Sequence, residues 1–389
     1  MPLPKAKSVA LVLQTRQEEN TAVLKGIAAY ERQHADWVFF LDDRAMAVQD
    51  PAWLLRKSWD GVICRHRDEA VLRACLERKI PCVDLDDSRP PLAGVPKVRP
   101  DNRAAGHMAA EHFLDRGFAH FAFCGLGNEL WSCERRDGFI EAVEAAGEQS
   151  ALFETPYFNE LNPEWDLSEK AAIRAWLKTL PVPCGLFACN DLRALQVIEA
   201  AQEAELRIPD ELAVLGANNE TVRAELSHPP LSSVDLNALE WGHAAARILH
   251  AQLDGKTVPA ETPIEPRQVV VRRSTDAVAI EDPAIAKAVR IIREEACQQL
   301  RVDELARRVS VSRSLLERRF RKILRRTPQE EIRNIKIRRT KQYLLETDKP
   351  LGEIAELTGF EHPEYLSVMF KRLTGETPRD FRQRHRVSA

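Results

Sequence analysis

The stretch Leu351-Gly-Glu-Ile-Ala-Glu-Leu-Thr-Gly-Phe-Glu-His-Pro-Glu-Tyr-Leu-Ser-Val-Met-Phe-Lys371 reads as a short helix, a tight turn and a second helix. Gly359 falls at the turn, where a residue without Cβ takes the left-handed conformation without steric cost. The arrangement also occurs earlier, in Val302-Asp-Glu-Leu-Ala-Arg-Arg-Val-Ser-Val-Ser-Arg-Ser-Leu-Leu-Glu-Arg-Arg-Phe-Arg-Lys322, with its turn at Ser310–Ser312. Ala306 and Ala355 occupy matching positions, where a small side chain lets two helices cross closely. Leu316 with Phe320, and Leu366 with Phe370, are the i, i+4 pairs that would face the core. The opposite faces, Arg313, Ser314, Glu317, Arg318 and His362, Pro363, Glu364, Ser367, Val368, are then free to enter two major grooves of DNA.

Working outward from these two motifs, everything after about residue 284 has helical periodicity, with helices expected near 284–297, 302–309, 313–324, 328–345, 351–357, 363–373 and 377–384. Residues 281–389 carry 25 Lys and Arg against 17 Asp and Glu, a net of +8, whereas residues 1–280 carry 31 against 42, a net of −11. A basic block on an acidic body points to a polyanion-binding module joined to something else. Ser274-Thr-Asp-Ala-Val-Ala-Ile-Glu-Asp-Pro283 reads as the linker, which divides the chain into 1–273, 274–283 and 284–389, with helix-turn-helix units at 302–322 and 351–372.

The larger part alternates short apolar strands with helical segments. Ser8-Val-Ala-Leu-Val-Leu13, Trp37-Val-Phe-Phe-Leu41, Gly61-Val-Ile-Cys64, Pro81-Cys-Val-Asp-Leu85, Phe118–Cys124, Gly185–Ala188 and Ala213-Val-Leu-Gly216 are the strands. Helical segments such as Thr21–Gln33, Ala70–Lys79, Arg103–Arg116, Cys133–Ala146, Asp191–Ala204 and Ala238–Leu253 separate them. Alternation sustained this long predicts parallel sheets covered on both faces, with ligands beyond the carboxyl ends of the strands.

Composition narrows the function classes. No run of 18 apolar residues occurs, and the first residues pass into a strand without a small-residue cleavage site, so a membrane-spanning or secreted protein is not expected. The eight cysteines form no Cys-x-x-Cys pair and mostly sit in apolar runs, as in a cytoplasmic protein with reduced, buried thiols. His107-Met-Ala-Ala-Glu-His112 fails the spacing of a zinc-protease motif, and Gly125-Leu-Gly-Asn-Glu-Leu130 lacks the third glycine of a dinucleotide loop. No metal site, cofactor or catalytic residue is therefore expected, and an enzyme reading survives only as acid/base pairs not visible in sequence.

Two resemblances sharpen this reading. The segments Ile354-Ala-Glu-Leu-Thr-Gly-Phe360, Tyr365-Leu366 and Phe370-Lys-Arg-Leu-Thr-Gly-Glu-Thr-Pro-Arg-Asp-Phe-Arg382 resemble the signature of AraC-type regulators, with Leu366 where Phe is usual and Phe381 where Tyr is usual. Over 284–389 the resemblance implies two helix-turn-helix units joined by one long helix, with recognition helices in successive major grooves about 34 Å apart. Within that docking Arg313 and Arg318 suit guanine, Glu317 and Glu364 suit cytosine N4, Ser314 and Ser367 suit bases or phosphates, and Val368 suits a thymine methyl. Arg325, Arg326, Lys336, Arg338 and Arg339 are expected on phosphates.

Residues 8–273 are similar to the periplasmic-binding-protein-like core of LacI/GalR-type regulators, on the strength of Trp131–Phe139, Cys189-Asn-Asp191, Gly216-Ala-Asn-Asn219, Asp101–Gly106 and Ser232-Ser-Val-Asp235. The combined fold class is an α/β two-lobe periplasmic-binding-protein-like sensor domain followed by an all-α double helix-turn-helix domain. The resemblance implies a sugar cleft between lobes built from 8–117 with 236–253, and from 118–231 with 264–273. Sugar recognition needs planar polar groups that bridge hydroxyls and a flat wall against the ring. Arg135 is the expected bidentate donor, Asn190 and Asn218 its amide partners, and Trp131 the wall. Asp191 either accepts from a hydroxyl or caps its helix, and Gln14, Arg16 and Glu19 supply the facing lobe. The family usually has Asp where Asn218 stands. An amide donates as well as accepts, which leaves the identity of the sugar open.

A sugar sensor ahead of an AraC-type domain, with Arg272-Arg-Ser-Thr-Asp276 and Asp282-Pro-Ala284 at the junction, resembles the xylose-responsive regulators of enteric bacteria. It implies a homodimeric cytoplasmic activator that binds double-stranded operator DNA, takes xylose as effector and meets RNA polymerase. A different sugar, a repressor mode and a sugar-handling enzyme are the alternatives.

Overall fold

The computed structural model describes residues 6–44, 46–156, 163–276, 280, 282–324 and 326–385. Strands and helices follow in the order β1 (Lys7–Val12), α1 (Glu18–His34), β2 (Trp37–Asp42), α2 (Met46–Gln49), α3 (Pro51–Leu54), β3 (Gly61–Cys64), α4 (Ala70–Glu77), β4 (Cys82–Asp84), β5 (Lys97–Pro100) and α5 (Asn102–Leu114). Then come β6 (His120–Leu126), α6 (Leu130–Ala145), β7 (Ser150–Thr155), α7 (Pro163–Leu177), β8 (Cys184–Ala188), α8 (Asp191–Glu203), β9 (Leu212–Ala217), α9 (Thr221–Leu226), β10 (Ser232–Asp235), α10 (Ala238–Leu253), β11 (Glu261–Ile264) and β12 (Gln268–Val270). The remaining chain is helical: α11 (Pro283–Glu295), α12 (Val302–Arg308), α13 (Arg313–Leu324), α14 (Pro328–Glu346), α15 (Leu351–Leu357), α16 (Pro363–Thr374) and α17 (Pro378–His385).

Two six-stranded sheets result, ordered β11-β5-β4-β3-β1-β2 and β12-β10-β9-β8-β6-β7. The first is parallel throughout, and the second is parallel except for β12 beside β10. In the first lobe α1 and α10 cover one face of the sheet, with Val9, Leu11, Ile63 and Trp241 in the core between them. Val62, Val71, Leu72 and Trp59 fill the other face. Ala122, Leu186, Val197 and Val214 belong to the core of the second lobe.

One lobe boundary differs from the sequence expectation. α5 packs on α6 and so lies with the second lobe, although 8–117 was expected in the first. Glycine decides this: a Cβ on Gly106 would fall 2.2 Å from the Arg135 carbonyl oxygen, and one on Gly138 would fall 2.1 Å from that of Arg103. The two backbones therefore touch where these helices cross. Arg103 then pairs with Glu141, and His107 Nε2 lies 3.3 Å from the same carboxylate, so the first histidine of the failed zinc motif faces a helix-surface carboxylate.

The chain divides into two compact units, Met1–His112 with His120–Asp276, and Phe113–Ala119 with Ala277–Arg386. The linker is shorter than 274–283. Arg273–Thr275 form a 3-10 turn in which Ser274 and Thr275 are buried, and Ser274 Oγ donates to the Val214 carbonyl at 2.6 Å. At the other end Ile280 is buried in the second unit's core and Asp282 caps α11. Residues 277–279 and 281 lie outside those described.

The helical unit follows its periodicity closely. Leu316, Phe320, Leu366 and Phe370 are fully buried, and Ala306 and Ala355 nearly so. The first motif packs with α11 and α14 in one core, and the second packs with the other end of α14 and α17 in another. The two turns differ. Gly359 takes φ +71°, and a Cβ there would meet the Cys297 carbonyl at 2.3 Å, whereas the matching Ser310 pays a side-chain penalty for φ 58°. Gly359→Ala should therefore destabilise the helical unit by about 2 kcal/mol or more, and Ser310→Gly should stabilise it by about 1 kcal/mol. Urea unfolding of the two variants measures both changes. Equal effects of the same sign would contradict this account.

Candidate sugar cleft and DNA interface

The carboxyl ends of β3, β4, β5, β8 and β9 deliver Arg65, Asp87, Asn102, Asn190 and Asn218 to the space between the lobes. α6 turns Arg135 inward, 2% exposed. Its Nε donates to Asn102 Oδ1 at 2.9 Å, and its Nη1 donates to the Cys189 carbonyl at 2.6 Å and Asn218 Oδ1 at 3.1 Å. None of these bonds among the described residues uses Nη2, which leaves the two N–H groups of that nitrogen for a ligand. Burial weakens the guanidinium's hold on its proton, and Asp87 and Glu19 act in the opposite direction. Trp131 lies alongside, its ring 4.9 Å from the Arg135 guanidinium carbon and its Nε1 donating to Glu129 Oε2 at 3.1 Å.

Asn218 holds φ +101°, a conformation asparagine tolerates better than most residues. Because its Oδ1 accepts from Arg135, its amide NH₂ is the group turned to other partners. Asn190 is the N-cap of α8, with Oδ1 accepting from the Arg193 N–H at 2.8 Å.

Asp191 departs from both roles expected of it, since it neither reaches the cleft nor caps the helix. It is fully buried, Oδ1 accepts from Ser233 Oγ at 2.5 Å, and Oδ2 accepts from the Glu220 N–H at 2.7 Å. These bonds tie α8 to the segments after β9 and in β10, and the burial of Asp191 keeps both oxygens out of the cleft.

Burial raises the Asp191 pKa to about 7, against the lowering by Ser233 and the Glu220 amide. Between about pH 4 and 7 the folded state keeps a proton that the unfolded chain has released, so this group's contribution to stability falls as pH rises. Above about pH 7 both states are ionised and the contribution levels off. Asp191→Asn should remove that slope, worth up to about 4 kcal/mol, and gain on the parent above pH 7. Urea midpoints of parent and variant at pH 5 and 8 test it; a constant difference between them would contradict the assignment.

On the facing lobe Gln14 and Arg16 are exposed at the lip, and Glu19 is buried. Glu19 pairs with Arg65 at 2.7 Å, and Arg65 also approaches Asp87 at 3.8 Å and lies 4.3 Å over the Trp241 ring. Burial works against the Arg65 charge, but Glu19 and Asp87 outweigh it and raise its pKa. Arg65, Asp87 and Asn102 were not singled out from sequence. Arg65 and Asp87 follow strands β3 and β4, so the rule that found Asn190 and Asn218 also points to them. The loop carrying Asp87 is held by the fully buried Lys97, whose Nζ donates to the carbonyls of Asp86 and Arg89 at 2.7 Å and pairs with Asp84 at 3.3 Å.

In the helical unit Arg313 is 55% exposed, bridging Glu317 at 2.9 Å and Asp303 at 3.2 Å. Ser314, Arg318, His362 and Glu364 are exposed, and Val368 is 64% exposed. Pro363 opens α16, and Ser367 Oγ donates to the Pro363 carbonyl at 3.0 Å. Several residues expected on phosphates also have partners within the helical unit. Lys336 Nζ donates to the Gly359 carbonyl at 2.6 Å, Arg326 pairs with Asp115 and Glu331, and Arg338 pairs with Asp115 at 3.0 Å. Arg339 donates to Gln342, and Arg325 lies outside the described residues. Among the described residues no cluster is placed to hold a metal, and no helix is long and apolar enough to cross a membrane.

A periplasmic binding protein-like domain family matches residues 110–275, and a helix-turn-helix domain family matches 305–384. A polar cleft in the first and paired recognition helices in the second define a sugar-responsive, DNA-binding transcription regulator. The xylose operon regulatory protein of Haemophilus influenzae is 32% identical over 383 residues, 96% of this chain and 97% of its own. The chain belongs to the family of xylose operon regulatory proteins. That of Escherichia coli K12 is 29% identical over 392 residues, 97% of each chain. A solved structure of the xylose-binding transcription activator XylR is 28% identical and covers 98% of both chains at a TM-score of 0.61. The cellobiose complex of the regulator CelR, 24% identical with a TM-score of 0.55 over 70% of this chain, shares the sensor fold.

Proposed function

We propose that the chain is a cytoplasmic homodimer that binds D-xylose between its lobes and activates pentose-catabolism genes from direct-repeat operator sites, in contact with RNA polymerase. The observation that carries the sugar assignment is the Arg135 fork. It is buried, anchored through Nε by Asn102 and through Nη1 by Cys189 and Asn218, and faced by Glu19 and Asp87 across the cleft. A fixed guanidinium beside an amide and two carboxylates suits a ring of alternating hydroxyl donors and acceptors. Full-length relatives named for the xylose operon favour the pentose. Arg313, Ser314, Glu317, Arg318 and His362, Pro363, Glu364, Ser367, Val368 are assigned to the DNA.

The test is thermal unfolding of the full chain with D-xylose, other pentoses and hexoses. A ligand that binds only the folded state adds about 2.7 kcal/mol at 100 times its dissociation constant. Stabilisation by xylose alone supports the assignment. Stabilisation by another sugar favours the second reading, a different effector, for which Asn218 at a position usually held by Asp is the specific reason. Recovery of the sugar unchanged after incubation separates both from an enzyme.

A further inference from the structure

α5 has an unusual set of attachments. Its first residue, Asn102, is buried and accepts from Arg135 Nε at 2.9 Å in the sugar cleft. Along its length it is locked to α6, the helix that carries Arg135, by backbone contact at Gly106 and Gly138. Close-packed backbones do not slide past one another freely, so α5 and α6 move together. Near the end of α5 His112 Nε2 lies 2.9 Å from Thr275 Oγ1, in the buried turn that precedes the linker.

The helix then leads into Phe113–Ala119, a segment that belongs to the second unit. There Asp115 uses Oδ1 for Arg326 and Oδ2 for Arg338, the latter at 3.0 Å, and its carbonyl accepts from Arg326 Nη2 at 3.2 Å. A Cβ on Gly117 would meet Ile280 at 2.7 Å. Arg326 precedes α14 and is also held by Glu331 within it at 2.5 Å, and Arg338 is in α14 itself. Because α14 contributes to the cores of both helix-turn-helix motifs, a shift at Asp115 bears on the helix that spaces the two recognition helices.

We propose that α5 carries the sugar signal, with Asp115 as the positioning residue that turns its displacement into a change at α14. The path is one covalent helix of 13 residues, about 20 Å long, and needs no chain of side chains in between. The proposal rests on the sugar-responsive reading and adds the route.

The experiment uses the full chain, D-xylose, and a duplex selected from a random pool by the xylose-loaded protein. DNA affinity is measured with and without xylose, and xylose affinity is measured separately by calorimetry. The parent should show a xylose-dependent change in DNA affinity, typically about 5–150-fold for such couplings. Asp115→Asn should bind xylose within about threefold of the parent while that ratio falls at least tenfold or to near one. Asp115→Glu, which keeps the charge, should retain most of it. Arg338→Gln tests the contact from the other side should Asp115→Asn fold poorly, and a reduced ratio is again expected. If either folded variant keeps the parent ratio, α5 is not the route. If the parent binds xylose with no change in DNA affinity, the sugar-responsive reading falls and the proposal with it.

Discussion

Replacing Arg135 with methionine is expected to abolish the response to sugar while leaving a folded protein. Methionine matches the stem of the side chain, so the main loss is the charged fork. A hydrogen bond from a charged group is worth about 1.5–3 kcal/mol, and two of them to the sugar predict a fall in affinity of at least about 100-fold. The free protein should lose only about 1–3 kcal/mol, because Asn102, Asn218 and the Cys189 carbonyl lose a donor they share. Arg135→Lys restores the charge but not the planar geometry, and should recover only part of the affinity. Calorimetric titration of the three proteins against xylose gives the ranking directly. A methionine variant that binds as well as the parent would remove Arg135 from the site.

The second large effect is expected at Lys97, which is fully buried and far from any expected DNA contact in sequence. Lys97→Ala leaves the Asp86 and Arg89 carbonyls without their donor and Asp84 with Arg89 as its remaining cation. Removing one partner of a buried ion pair costs about 3–5 kcal/mol. Burial already pushes the Asp84 pKa up against the lowering by Lys97 and Arg89, and losing Lys97 pushes it further in the same direction, so Asp84→Asn should recover part of the loss. Because the freed loop carries Asp87, sugar affinity should fall with stability. Urea unfolding of the single and double variants measures the coupling. A loss below about 1 kcal/mol would mean that water replaces the ammonium without difficulty.

The helical unit was readable almost residue by residue because its signals are local. Thr327 and Glu330 form a reciprocal cap, and Pro328, Pro363 and Pro378 begin helices where a missing N–H costs nothing. The strands that sequence did not reveal are of a different kind. β5, β10, β11 and β12 are three or four residues long, and β5 and β11 contain proline, so neither length nor alternation marks them. β7 is longer, but it lies at a sheet edge with none of its residues fully buried and lacks the apolar run of a central strand. The placement of α5 was hidden for another reason, since it depends on two glycines 32 positions apart meeting in space. In the cleft, Arg135 and Asn218 stand in motifs and could be named. The roles of Asp191, Lys336 and Arg326 are set by Ser233, the Gly359 carbonyl and Asp115, partners that no local pattern announces.

The unequal turns at Ser310 and Gly359 bear on how the protein leaves its operator. Two motifs with separate cores, one of them wound around a serine in a left-handed conformation, form a reader whose halves differ in durability. On warming, the half containing Ser310 should loosen first while the half containing Gly359 still grips its groove. The footprint on DNA would then shrink from one end rather than vanish at once, and the more durable half would act as an anchor from which the other can rebind.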